Sequence, residues 1–114
     1  MATERMTFKG GWWADVRTKW SYGDDSAIAA ALLFTDDAES FEQGQRVLLQ
    51  RSVPAAHVPD LEGNAVEHGP EMWDSVDGRI GRAILRRARR SWGAWQKDAD
   101  PNDDGPPSPA SPQG

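Results

Sequence analysis

Residues 78–96 place the strongest constraint on what this chain can fold into. Arg79, Arg82, Arg86, Arg87, Arg89, Arg90 and Lys97 follow one another with no acid between them, interleaved with apolar residues at helical spacing. At ~100° per residue, Ile80, Ile84, Ala88, Ser91, Trp92 and Trp95 share one arc, widened by Leu85 and Val76. Arg79, Arg82, Arg86, Arg89 and Arg90 share the opposite side, and Arg87 sits near the edge. The spacing predicts an amphipathic helix with one apolar and one cationic face, ended by Gly93 and the acidic, proline-rich segment behind it. Such a helix must bury its apolar stripe against other elements of the same chain. With 114 residues, those elements form one small domain.

The elements are legible in part. Gly10-Gly11 lies between Thr7-Phe8-Lys9 and Trp12–Arg17, which predicts a short hairpin turning at the glycines. Residues 1–6 read as a flexible leader. Asp24 or Asp25 can cap a helix over Ser26–Phe34, where Ile28, Ala31 and Leu32 fall at i, i+3 and i+4. Thr35 with Glu39, or Asp37 with Ser40 and Phe41, can cap a second helix carrying Phe41, Leu48 and Leu49. Gly44 weakens that helix, and Val47-Leu48-Leu49 fits a strand equally well. Pro54 and Pro59 keep Val53–Pro59 extended. Asp60-Leu61-Glu62-Gly63-Asn64 is turn chemistry between Val58 and Val66. Gly69-Pro70-Glu71 opens a short helix through Val76. The expected fold is therefore α+β and mainly α-helical: an N-terminal β-hairpin packed with three to four helices. The domain is expected over residues 7–97, with residues 98–114, holding four acids and five prolines, as a disordered acidic tail.

The net charge of −5 averages over strong segregation. Residues 60–74 hold five acids and no base, directly before the cationic helix. Arginine outnumbers lysine six to one on that helix, which favours forked contacts with carboxylate or phosphate over diffuse attraction. Nucleic-acid phosphate is one partner for this face, and carboxylates of the same chain or of another protein are the alternative. The abundance of carboxylates on both sides of the helix favours the latter.

Chemistry-bearing motifs are sparse. The chain has no cysteine, which excludes disulfides, cysteine-ligated metal and thiol catalysis. His57 and His68 stand eleven residues apart without metal-site spacing. Asp24/Asp25 and Asp36/Asp37 read as helix caps rather than acid/base couples. Gly10-Gly11 lacks a phosphate-binding context, and no G-x-S-x-G elbow occurs. Neither an enzyme nor a bound cofactor is expected. No apolar run reaches the ~20 residues of a membrane span.

Six tryptophans against one tyrosine is the remaining anomaly. Trp20, Trp73 and one member of each pair, Trp12/Trp13 and Trp92/Trp95, are expected in the core. The surplus rings are expected at a protein–protein interface, where tryptophan serves as an anchor.

The pattern resembles small tail-morphogenesis proteins of siphophages that infect actinobacteria, especially tail assembly chaperone-like products. The residues that carry it are Trp12-Trp13-Ala14-Asp15-Val16-Arg17, then Trp20-Ser21-Tyr22-Gly23-Asp24 before an alanine-rich helix. Leu48-Leu49, Asp60–Val66, the segment Pro70–Val76, the last helix from Gly78 and a polar, proline-rich tail complete the pattern. It spans about residues 8–97. Gln50-Arg51-Ser52 stands where that group usually has a tryptophan-containing stretch, and the last helix is more basic than usual. The resemblance implies a non-enzymatic protein of virion assembly in the host cytoplasm, with tape-measure or other tail proteins as partners. A structural subunit of the virion, in the head–tail connector or tail, is the close alternative, and a second copy of the chain is a further candidate partner. The contact residues expected on this reading are Trp12, Trp13, Trp92 and Trp95 as anchors, with Arg82, Arg86, Arg89 and Arg90 as the charge complement. A small nucleic-acid-binding or host-inhibiting phage protein using the arginine face is the second class.

Overall fold

The Gly10-Gly11 pair sets the first element. Both glycines have positive φ, 96° and 86°, where a side chain would be strained. They turn strand β1 (Thr3–Phe8) into strand β2 (Trp12–Arg17), antiparallel, with Phe8 opposite Trp12 and Thr3 opposite Arg17. Met6, expected in a flexible leader over residues 1–6, instead pairs with Ala14, and the strand begins at Thr3. The reason is cross-strand chemistry. Arg5 clamps Asp15 through Nε (2.8 Å) and Nη2 (3.1 Å) and lays its guanidinium 3.8 Å from the Trp13 ring centroid. That clamp holds the Asp15 carboxyl below its ordinary range.

This computed structural model describes residues 2–33 and 36–98. The expectations for Phe34, for the Thr35 cap and for a disordered tail beyond Asp98 lie outside the described residues.

Helix α1 (Tyr22–Leu33) starts four residues earlier than the sequence reading placed it, because Ser21 Oγ accepts the Asp24 N–H at 3.1 Å. Asp24 and Asp25 therefore lie in the first turn instead of capping it. Helix α2 (Ala38–Ser52) is capped as one of the two readings proposed: Asp37 accepts the Ser40 N–H at 2.8 Å, and that bond lowers its pKa. Val47-Leu48-Leu49 is helical.

Gly44 is buried where α1 and α2 cross. A Cβ there would collide with the Ala31 carbonyl oxygen and lie 2.9 Å from Leu32 Cδ2. The residue that lowers the propensity of α2 is thus the one that lets α1 approach.

Strand β3 (Ala55–His57) pairs antiparallel with β2, giving sheet order β1-β2-β3. It adds a third strand to the expected two-stranded hairpin. The proline-extended segment has its amides free for pairing, and helix and strand make up 54% and 20% of the described residues. The fold is mixed α+β. Asp60 then closes a tight loop by accepting the Glu62 and Asn64 N–H groups, both at 2.9 Å. The helix expected over Pro70–Val76 shrinks to a 3-10 turn, Met72–Asp74, because Val76 leaves it to bridge Asp60.

Helix α3 (Gly78–Asp98) crosses the inner face of the sheet and runs through Gly93 to Asp98. Asp77 accepts the Arg79 N–H at 2.9 Å and starts it. Ile84, Ala88 and Trp92 are buried against a core that includes Ala14 and Val16 of β2, Ile28 of α1 and Leu48 of α2. Within it, Trp20 donates its indole N–H to the fully buried Ser52 hydroxyl at 3.1 Å.

Gly44→Ala tests the helix crossing. At an ordinary helical site this change stabilises by ~1 kcal/mol. Here urea denaturation should show a loss of about 1–3 kcal/mol, because the added methyl overpacks the crossing.

Candidate partner-binding surface

Burial of the Ile84–Ala88–Trp92 stripe fixes the rotation of α3, and the opposite arc is what solvent sees. Arg82, Arg86, Arg89 and Arg90 are all exposed, as is Arg79. Among the described residues, none of Arg82, Arg86, Arg89 and Arg90 has a carboxylate within 4.0 Å. The other arginines differ. Arg5 pairs with Asp15, Arg51 with Asp24 at 2.9 Å, and Arg46 bridges Glu42 and Asp74. On α3 itself, Arg87 reaches Glu4 of β1 at 2.6 Å and Arg79 lies 3.7 Å from Asp77. Arg17 donates to the Arg51 carbonyl oxygen at 3.0 Å.

Asp24, Glu42 and Asp74 pair with Arg51 and Arg46 of α2, not with the outer arc of α3. The Arg51 contact is the largest reason that the Asp24 carboxyl sits below its ordinary range, and the Asp74 contact raises Arg46. The four arginines of the outer arc remain as a patch of like charge with no ion pair among the described residues.

Apolar surface flanks this arc on two sides. Between α2 and α3 runs a groove of about 190 Å³ walled by Gln45, Arg46, Trp73, Arg82 and Leu85, with Leu49 and Val76 among its lining. Arg46 braces it by tying α2 to the 3-10 turn. On the other side the tip of the 58–66 hairpin brings Leu61, 78% exposed, against Arg79, Arg82 and Arg86. Arg82 borders both hollows. At the far end the Arg89 guanidinium lies 5.8 Å from the ring centroid of Phe41, which is 39% exposed.

Trp20 and one ring of the 92/95 pair lie in the core as expected, whereas Trp73 and both rings of the 12/13 pair are only half-buried. Trp92 is 7% exposed and donates its indole N–H to Asp25 at 2.8 Å, so it is a core ring and not an available anchor. Its position on the apolar stripe and the carboxylate waiting on α1 explain the correction. Trp95 is half-buried, its ring 5.4 Å from that of Trp20 and tilted 50° to it, and it lines a shallow hollow with Thr18, Lys19 and Ala94. Trp12 and Trp13 are half-buried beside His57, at centroid distances of 4.7 and 6.4 Å. Trp13 belongs to the outer sheet face with Arg5 and Asp15, whereas α3 covers the inner face that carries Ala14 and Val16. The structure thus brings together Arg82, Arg86, Arg89 and Arg90 but does not bring Trp12 and Trp13 to them. Trp73 is half-buried and lines the groove.

The sequence reading missed Leu61, Trp73 and Leu85 as surface elements. The one available signal was Leu61, a large apolar residue inside a five-residue turn whose other members are polar or glycine.

His57 and His68 remain apart in role: His57 lies against the tryptophans, and His68 Nε2 meets the Val53 carbonyl oxygen at 3.3 Å. Among the described residues no cluster of three or more His, Asp or Glu side chains is arranged to hold a metal ion, and no helix is long and apolar enough to cross a membrane. No protein-family model matches the chain, and comparison with curated proteins and with solved structures finds no match.

The division between core ring and surface charge is measurable. Trp92→Ala should lower unfolding stability by about 3–5 kcal/mol. Arg86→Ala should stay within about 0.5 kcal/mol of the parent. Both are read from urea denaturation of the full chain.

Proposed function

We propose that this protein is a non-enzymatic phage morphogenesis protein that acts in tail assembly by protein–protein contact. One observation carries the reading: four arginines on one arc of α3 have no ion pair among the described residues and are bordered by accessible apolar side chains. A face of like charge contributes nothing to the stability of its own domain. Its use is to steer and orient a partner of opposite charge. The resemblance of the Trp12–Arg17 and Trp20–Asp24 segments, and of the element order behind them, to tail assembly chaperone-like proteins supplies the setting. The partners on this reading are tail proteins or the tape-measure protein, met in the host cytoplasm. Trp12, Trp13 and Trp95, all half-buried, are secondary anchors.

The experiment is co-expression of the full chain with tail proteins encoded beside it, followed by co-purification. The variant R82E/R86E/R89E/R90E should fold normally and lose the complex; a complex that survives the four reversals removes the arginine arc from the account. A chaperone is absent from purified particles, whereas a virion subunit is present in them.

The same arc favours a second reading, binding of nucleic-acid phosphate. It requires an affinity for DNA or heparin that falls steeply as salt rises, since each neutralised phosphate releases counterions.

A further inference from the structure

The groove and the arc belong to one surface, and together they describe the chemistry of an occupant. Arg82, Arg86 and Arg89 follow one another at spacings of four and three residues, so their attachment points span about 10 Å along α3. A helix laid alongside presents carboxylates over the same length when Asp or Glu occupy i, i+4 and i+7. The groove between α2 and α3 adds a second requirement. Trp73 and Leu85 line it, and Arg82 stands at its border, so an occupant that pairs with Arg82 sets its neighbouring side chain over apolar surface. Leu61 supplies a matching apolar contact on the opposite flank of the same arginine. Phosphate backbones meet the first requirement and not the second.

We infer that this surface receives an acidic amphipathic helix of another protein, its carboxylates on Arg82, Arg86 and Arg89 and its apolar stripe in the α2–α3 groove. The inference rests on the docking reading above and names the chemistry of the partner. Charge complementarity selects the carboxylates, and Trp73 and Leu85, in a groove of mixed polar and apolar lining, select a helix with a leucine-type stripe over a purely acidic coil. Gln45 and Glu42, which face the groove from α2, limit how much apolar surface an occupant can cover, so the stripe is narrow.

The test uses the full chain and a synthetic capped helical peptide of about 18 residues. The peptide is built on Ala and Gln, with Glu at i, i+4 and i+7 and Leu at i+3 and i+10. A second peptide replaces each Glu with Gln, a third replaces each Leu with Ser, and a DNA duplex serves as the phosphate probe. Fluorescence anisotropy should show binding of the first peptide, weakened about tenfold or more by either peptide change. Leu61→Ser, at a side chain that supports no core, should weaken it severalfold. In 15N–1H spectra the Trp73 indole resonance should move on binding while those of Trp20 and Trp92 stay in place.

Equal binding of the Gln peptide overturns the inference, as does tighter binding of the duplex that Leu61→Ser leaves unchanged. The two readings fail separately. If the four-arginine reversal abolishes the tail-protein complex but the Glu and Gln peptides bind alike, only the helix inference falls. If the complex survives the reversal, the docking reading itself falls.

Discussion

Burial of Ile84, Ala88 and Trp92 against the sheet and the α1–α2 pair decides the orientation of everything else on the C-terminal helix. Each side chain is closed from water by other elements, and the Trp92 indole is further fixed by its hydrogen bond to Asp25. A buried indole N–H without an acceptor would cost a kcal/mol or more, of order ~1–3. Asp25 therefore couples the rotation of α3 to the first turn of α1. With that rotation set, the helical period sends Arg82, Arg86, Arg89 and Arg90 to solvent and Arg87 to the sheet edge, where Glu4 receives it. The same burial covers Ala14 and Val16 of the central strand and so fixes which tryptophan of the 12/13 pair faces outward.

Charge segregation in the sequence becomes a sorting of roles in the fold. Asp24 of α1 is taken up by Arg51, Glu42 of α2 and Asp74 of the 3-10 turn by Arg46, and Asp15 by Arg5, all arginines outside α3. These contacts join elements: β1 to β2, α1 to α2, α2 to the turn before α3. The arc on α3 forms no ion pair among the described residues, and Arg89 meets α2 only at the Phe41 ring. A net charge of −5 thus coexists with a localised positive surface.

Much of this was legible in the residues. The hairpin follows from two adjacent glycines, the start of α2 from Asp37 with Ser40, and α3 from its two-faced period. What was not legible depends on contacts between distant segments. Residues 53–59 read as extended, yet nothing local says that Ala55–His57 will pair with β2. Gly44 reads as a weak point of a helix, and only the approach of Ala31 turns it into a requirement of the crossing. Asp24 and Asp25 have the composition of caps. Their use as acceptors for Arg51 and Trp92 is set by α2 and α3, and Ser21 takes the capping position. For the surface, the arginines were readable because a period identifies a face. The groove was not, since Trp73 and Leu85 come from different elements and meet only through packing.

The central claim is that Arg82, Arg86, Arg89 and Arg90 have no carboxylate partner among the described residues, while Arg5, Arg46, Arg51 and Arg87 each tie one element to another. Residue-by-residue modification with phenylglyoxal, followed by mass spectrometry of the native full chain, tests it directly. The account predicts that Arg82, Arg86, Arg89 and Arg90 react at rates close to those of an unfolded control, with Arg5, Arg46, Arg51 and Arg87 clearly slower. Protection of the four at the level of the paired arginines would contradict it, because they would then be engaged inside the molecule and unavailable to a partner.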